Sequence, residues 1–169
     1  MLMKTALAFF AAALVPASVM TLWYLYGQFS IFPSDDPYIW VRTKGFVIIC
    51  VAISALHVFL LGAPAYALLR WRKAVRWWSI IASGFILAAT SIALWSWPLR
   101  YPELKTSASS NGVQTMIDGV PTAAGWLQYA QGVVFFGALG ALSGLAFWLV
   151  SRGMSSSNSF KPKPLRGSA

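Results

Sequence analysis

Carboxylates are scarce in this chain. Its 169 residues include four Asp and Glu against thirteen Lys and Arg, and all four acids (Asp35, Asp36, Glu103 and Asp118) lie in polar linking stretches. No apolar run carries an acid that could couple proton flow or hold a cationic drug, which excludes the chemistry of small multidrug exporters. A single cysteine, Cys50, excludes an intrachain disulfide framework and any paired-thiol relay. A single histidine, His57, falls short of the usual zinc or haem ligand sets. As a nucleophile and base, Cys50 and His57 stand seven residues apart. That is about 10 Å along a helix axis, too far for direct proton transfer. No catalytic, cofactor-binding or metal site is therefore expected. There is also no Asn-x-Ser/Thr glycosylation acceptor.

Charge of either sign is low. Charged residues make up 10% of the chain and hydrophobic ones 58%, whereas an ordinary soluble domain is about 25% charged. Four apolar runs approach the roughly 20 residues needed to cross hydrocarbon. The sequence thus predicts an all-α polytopic bundle of four transmembrane helices over 5–26, 45–69, 77–97 and 126–150, within a domain of 1–151. The segment 152–169 has the Ser, Pro and Lys bias of a disordered basic tail. Residues 1–17 also read as a signal peptide, with small residues ahead of Ser18, but the apolar run SVMTLWYLY continues past that point and favours a retained helix, with Pro16 inside it.

The formal charge of +9 raises the question of nucleic acid. The positions of the charges answer it. With both termini in the cytoplasm, the inner side carries Lys4, Arg70, Arg72, Lys73, Arg76, Arg152, Lys161, Lys163 and Arg166 with no acid, and the outer loops carry Arg42, Lys44, Arg100 and Lys105 against the four acids. Nine against four is the positive-inside bias. Anionic phospholipid at the cytoplasmic face is a sufficient partner, at about 1 kcal/mol per cation near the surface, and no nucleic-acid partner is expected. All nine tryptophans fall near proposed span ends, as an aromatic belt requires.

Two polar or small-residue patterns interrupt the apolar runs. On the second span, Cys50, Ser54, His57, Leu61 and Pro64 follow steps of four, three, four and three, so they share one helical stripe that should face protein. Ser79, Ser83 and Thr90 form a comparable stripe on the third span. The short turn between these spans suggests neighbouring antiparallel helices, so the expected intramembrane polar site comprises Cys50, Ser54, His57, Pro64, Ser83 and Thr90. In the structural reading His57 hydrogen-bonds a hydroxyl of Ser54, Ser83 or Thr90 across a bend at Pro64. In the functional reading it lines a polar path. On the fourth span, Gly137, Gly140, Ala141 and Gly144 crowd one face and predict close helix packing, either within the chain or in a homo-oligomer. Asp35 and Asp36 read as a solvated turn rather than a cation site. Gln128 and Gln131 should satisfy backbone groups or water.

The segment bearing His57, Leu61, Gly62, Pro64, Tyr66, Leu68, Leu69 and Arg70, together with GVPTAAGW from Gly119 to Trp126, resembles small four-span inner-membrane proteins of proteobacteria. The resemblance covers about a quarter of the chain and implies fold and location (the bacterial inner membrane) but no activity. Within GVPTAAGW, Pro121 and Thr122 make a helix start. The expected role is that of a non-enzymatic accessory, scaffold or protective partner of another membrane component, with a small oligomeric transporter or channel as the alternative.

Overall fold

In a computed structural model, backbone is described for residues 2–99 and 105–156, and side chains for 5–99 and 105–152. The helices are α1 (Leu2–Ile31), α2 (Tyr38–His57), α3 (Ala63–Trp71), α4 (Trp77–Trp95) and α5 (Ala123–Ser156), with a π-helical turn, Val58–Gly62, joining α2 to α3. They form four spans long and apolar enough to cross a membrane, Thr5–Ile31, Tyr38–Trp71, Trp77–Trp95 and Ala123–Arg152. The fold is an all-α bundle with one small sheet. The helix α5 continues to Ser156, into the segment read as tail, and the rest of that tail lies outside the described residues. The side chains of Lys4, Arg100 and Glu103 are likewise outside them.

Local chemistry accounts for the helix ends. Before α2, Asp36 accepts the Tyr38 amide at 2.9 Å and pairs with the Arg42 guanidinium at 2.6 Å. The Tyr38 amide bond, aided by Arg42, holds the Asp36 carboxyl below its ordinary range despite an opposing desolvation. Asp36 therefore anchors the loop, and the helix begins seven residues ahead of the expected boundary at 45. The end of α3 is a Schellman motif: Ala74 N–H donates to the Leu69 carbonyl and Lys73 N–H to the Arg70 carbonyl, with Lys73 itself left-handed at φ 53°.

The stretch between α4 and α5, a polar linker by composition, contains an antiparallel sheet. Strands β1 (Ala108–Ser110), β2 (Val113–Ile117) and β3 (Val120–Pro121) lie in that order. Two-residue turns join them at Asn111-Gly112 and Asp118-Gly119. All four turn residues have positive φ, between 47° and 81°, which is the type I′ geometry that matches strand twist. The sheet is riveted to the start of α5. The Thr122 hydroxyl donates to the Gln114 carbonyl at 2.7 Å and accepts the Gly125 amide at 3.2 Å, capping the helix.

Packing runs in the order α2, α1, α5, α4. The closest pair is α4 with α5, α1 bridges α5 and α2, and α4 approaches the second span mainly at the π turn and α3. Among lipid tails this association rests on close packing and interhelical hydrogen bonds, since hydrocarbon surrounds the bundle on both sides of any contact. Near the π-turn end, Ala8 and Ala12 of α1 meet Ile80 and Phe147, with Phe9, Tyr66 and Phe147 in ring contact at 4.9 to 6.0 Å. At the other end Trp97, Trp126 and Tyr129 form an edge-on triangle, and the Tyr129 hydroxyl donates to the Ala93 carbonyl at 3.1 Å.

Candidate functional site

The order of packing leaves a gap. Because α2 is held by α1 while α4 is held by α5, the two outer helices diverge away from the π turn and enclose a cavity of about 320 Å³. Its walls are mostly apolar, with Met20, Phe46, Phe136 and Leu139 prominent, and Cys50, Ser54 and His57 of α2 supply its polar stripe. Ile49 and Ile53, both more than half exposed, stand at its side.

The predicted stripe holds as far as His57 and then fails. Neither Leu61 nor Pro64 lines the cavity, and both are exposed. The cause is the π turn, in which the Ala63 amide donates to the Val58 carbonyl, five residues back. A proline ring collides with the carbonyl four residues before it, and widening the helix just ahead of Pro64 relieves that clash at the cost of one extra residue in the turn. The extra residue rotates everything after it. The inward face therefore passes from His57 and Val58 to Gly62, Ala65 and Tyr66, which line a separate smaller pocket of about 70 Å³ with Ser83 and Gly84.

The third-span partners expected for His57 are also elsewhere. Thr90 is exposed, the Ser83 hydroxyl donates to the Ile80 carbonyl of its own helix at 2.9 Å, and Ser79 is buried without a hydrogen-bond partner among the described residues. The short turn after α3 does not bring α2 and α4 together along their lengths, so the six expected site residues split. Cys50, Ser54 and His57 share the cavity, and Pro64, Ser83 and Thr90 do not. The His57 side chain makes no hydrogen bond to another described residue. Gln128 and Gln131 are both exposed. Among the described residues no three His, Cys, Asp or Glu side chains gather as a metal site.

A polar contact missed in the sequence lies at the cavity wall. Pro16 interrupts α1 by lacking the amide that would bond the Ala12 carbonyl four residues earlier. The Ser143 hydroxyl of α5 donates to that carbonyl at 2.7 Å. The proline-minus-four rule identifies the orphaned carbonyl from sequence; which helix would satisfy it is a tertiary matter.

The glycines of α5 make the α4 contact. A Cβ on Gly140 would strike the Gly84 carbonyl and the Ala88 methyl, one on Gly144 would come within 2.7 Å of the Ile80 carbonyl, and one on Gly137 within 2.7 Å of the Phe85 ring. Ala141 is half-buried beside them. The opposing glycine, Gly84, is the single glycine of its helix, and Gly84-x-x-x-Ala88 is the small-residue spacing that marks this face. Compared with family models, curated proteins and solved structures, the chain has no match.

Proposed function

We propose that the chain is a non-enzymatic integral protein of the bacterial inner membrane, serving as an accessory, scaffold or protective partner of another membrane component. The observation that carries this reading is the one-sided attachment of the second span. α2 is fixed to the bundle through α1, and its opposite face, with Val41, Ile48, Ala52 and Leu56, is exposed along its length. An apolar face with no helix of its own chain against it suits a helix of another membrane protein, and small changes there would tune that association without disturbing the bundle. Purification in mild detergent should yield a different membrane protein in fixed ratio to this one, and Ile48→Ala with Leu56→Ala should reduce that ratio severalfold. Recovery of the chain alone would refute the proposal.

The orientation that goes with it has both termini in the cytoplasm, supported by the nine-to-four distribution of Lys and Arg. Alkaline phosphatase fused after Ser109 should be active, and fusions after Lys73 and Ser157 inactive, with a cytoplasmic reporter giving the reverse. Phosphatase activity at Lys73 or Ser157 would overturn the topology. The second reading, an oligomeric transporter or channel, draws on the polar stripe of Cys50, Ser54 and His57 in the cavity. Solute or ion flux in liposomes holding only this chain, abolished by His57→Leu, would favour it over the accessory role.

A further inference from the structure

The accessory role leaves the cavity between α1, α2, α4 and α5 without a use. Its volume of about 320 Å³ lies at the low end of the roughly 300–1,000 Å³ typical of small-molecule sites, which are likewise mostly apolar with a few polar groups. It is too small for a whole phospholipid. It suits one ring with a short stretch of tail.

Three observations narrow the occupant. First, the cavity lies where the two outer helices part, with the exposed Ile49 and Ile53 at its side, so the approach is lateral and from lipid. Second, His57 lines it without a hydrogen-bonding partner among the described residues, and an unmet imidazole N–H in hydrocarbon is costly. Third, His57 stands 13 residues from both Lys44 and Arg70, the cations that bracket its span, and so lies near the bilayer midplane. A phospholipid headgroup is anchored about 15 Å away at the interface and offers only methylenes at that depth. The occupant must instead carry an uncharged hydrogen-bond acceptor that is stable within hydrocarbon. Phe46 of α2, with one face stacked on Tyr24 at 4.2 Å, and Phe136 of α5 line the cavity from two helices, and aromatic walls of this kind favour a planar ring over a bare chain.

We propose that this cavity binds the head ring of a lipid-soluble quinone, with His57 donating to a ring carbonyl, Phe46 and Phe136 packing on the ring, and the tail leaving past Ile53 into the bilayer. No electron transfer is implied; the site is a binding site. The proposal goes beyond the accessory role and is tested on the chain alone, so the failure of either leaves the other standing.

The test uses the full chain in nanodiscs with a decyl-substituted benzoquinone as probe, counting bound probe after gel filtration. One probe per chain should bind saturably. Decylbenzene, which has the same tail and a ring but no carbonyl, should bind at least about tenfold more weakly, as expected for losing a hydrogen bond in a dry site. His57→Leu should weaken the quinone by a similar factor, His57→Gln should retain it within about threefold, and Ile53→Trp should block it. Absence of saturable binding to the unaltered chain would overturn the proposal, as would equal affinity for decylbenzene, which would mark an acyl-chain site. Binding unchanged in both His57→Leu and Ile53→Trp would do the same by showing mere partition into lipid.

Discussion

Replacing Gly140 by leucine should collapse the yield of folded protein, and even Gly140→Ala should lower its unfolding temperature in detergent markedly. In most helices a glycine-to-alanine change is neutral or favourable, because alanine has the higher helix propensity. Here the added methyl has nowhere to go. Its position overlaps the backbone carbonyl of Gly84, which cannot rotate aside as a side chain would. The helices must separate, and the loss spreads along the most extensive contact in the molecule, that of α4 with α5. Overpacking of this kind costs about 1–3 kcal/mol for small additions and more where backbone must move. Gly84→Ala should behave alike, and the pair should be less than additive because both act by separating the same helices. Gly132, on the same helix with open space around its Cβ position, is the control and should accept leucine with little change. Unaltered thermal stability of Gly140→Leu would remove the glycine crossing from the account of this fold.

Much of this architecture follows from one-dimensional patterns. The four spans are set by run length against hydrocarbon thickness, and the α5 glycines by their spacing, because both depend on periodicity alone. Asn111-Gly112 and Asp118-Gly119 were equally legible as hairpin turns. The strands they join are only two to five residues long, too short for an alternation of apolar and polar residues to mark them. Other features were not available from the chain in one dimension. The π turn changes the residue count per turn, so a stripe extrapolated through Val58–Gly62 arrives one residue out of phase and assigns Leu61 and Pro64 to the wrong face. Neighbourhood in sequence also misled. A short α3–α4 turn argues for adjacent helices, yet the tightest partner of α4 is α5, because Gly84 can meet Gly140 there and α2 offers α4 no such backbone approach. His57 thereby loses the hydroxyls expected of it and gains a cavity.

Ser143→Ala should destabilise the bundle by about 1–3 kcal/mol, the cost of leaving a buried acceptor unmet, although average interhelical hydrogen bonds in membranes are worth only about 0.6 kcal/mol. The larger figure applies because the acceptor is not an ordinary helix carbonyl. Elsewhere in α1 a carbonyl that lost a serine would still hold its own helical amide, but Ala12 has none, since residue 16 is proline. Spanning helices tolerate proline where a neighbouring serine re-satisfies the freed group, and Ser143 does so at 2.7 Å. The dependence can be isolated. Pro16→Ala restores the missing amide, so in that background Ser143→Ala should cost no more than a few tenths of a kcal/mol beyond lost packing, and the double-mutant cycle should show a coupling of roughly 1–2 kcal/mol. Reversible unfolding in mixed micelles, followed by circular dichroism, measures all four corners. Equal cost of Ser143→Ala with and without Pro16 would show that the hydroxyl contributes by packing alone, and that α1 satisfies its interrupted turn by some other group.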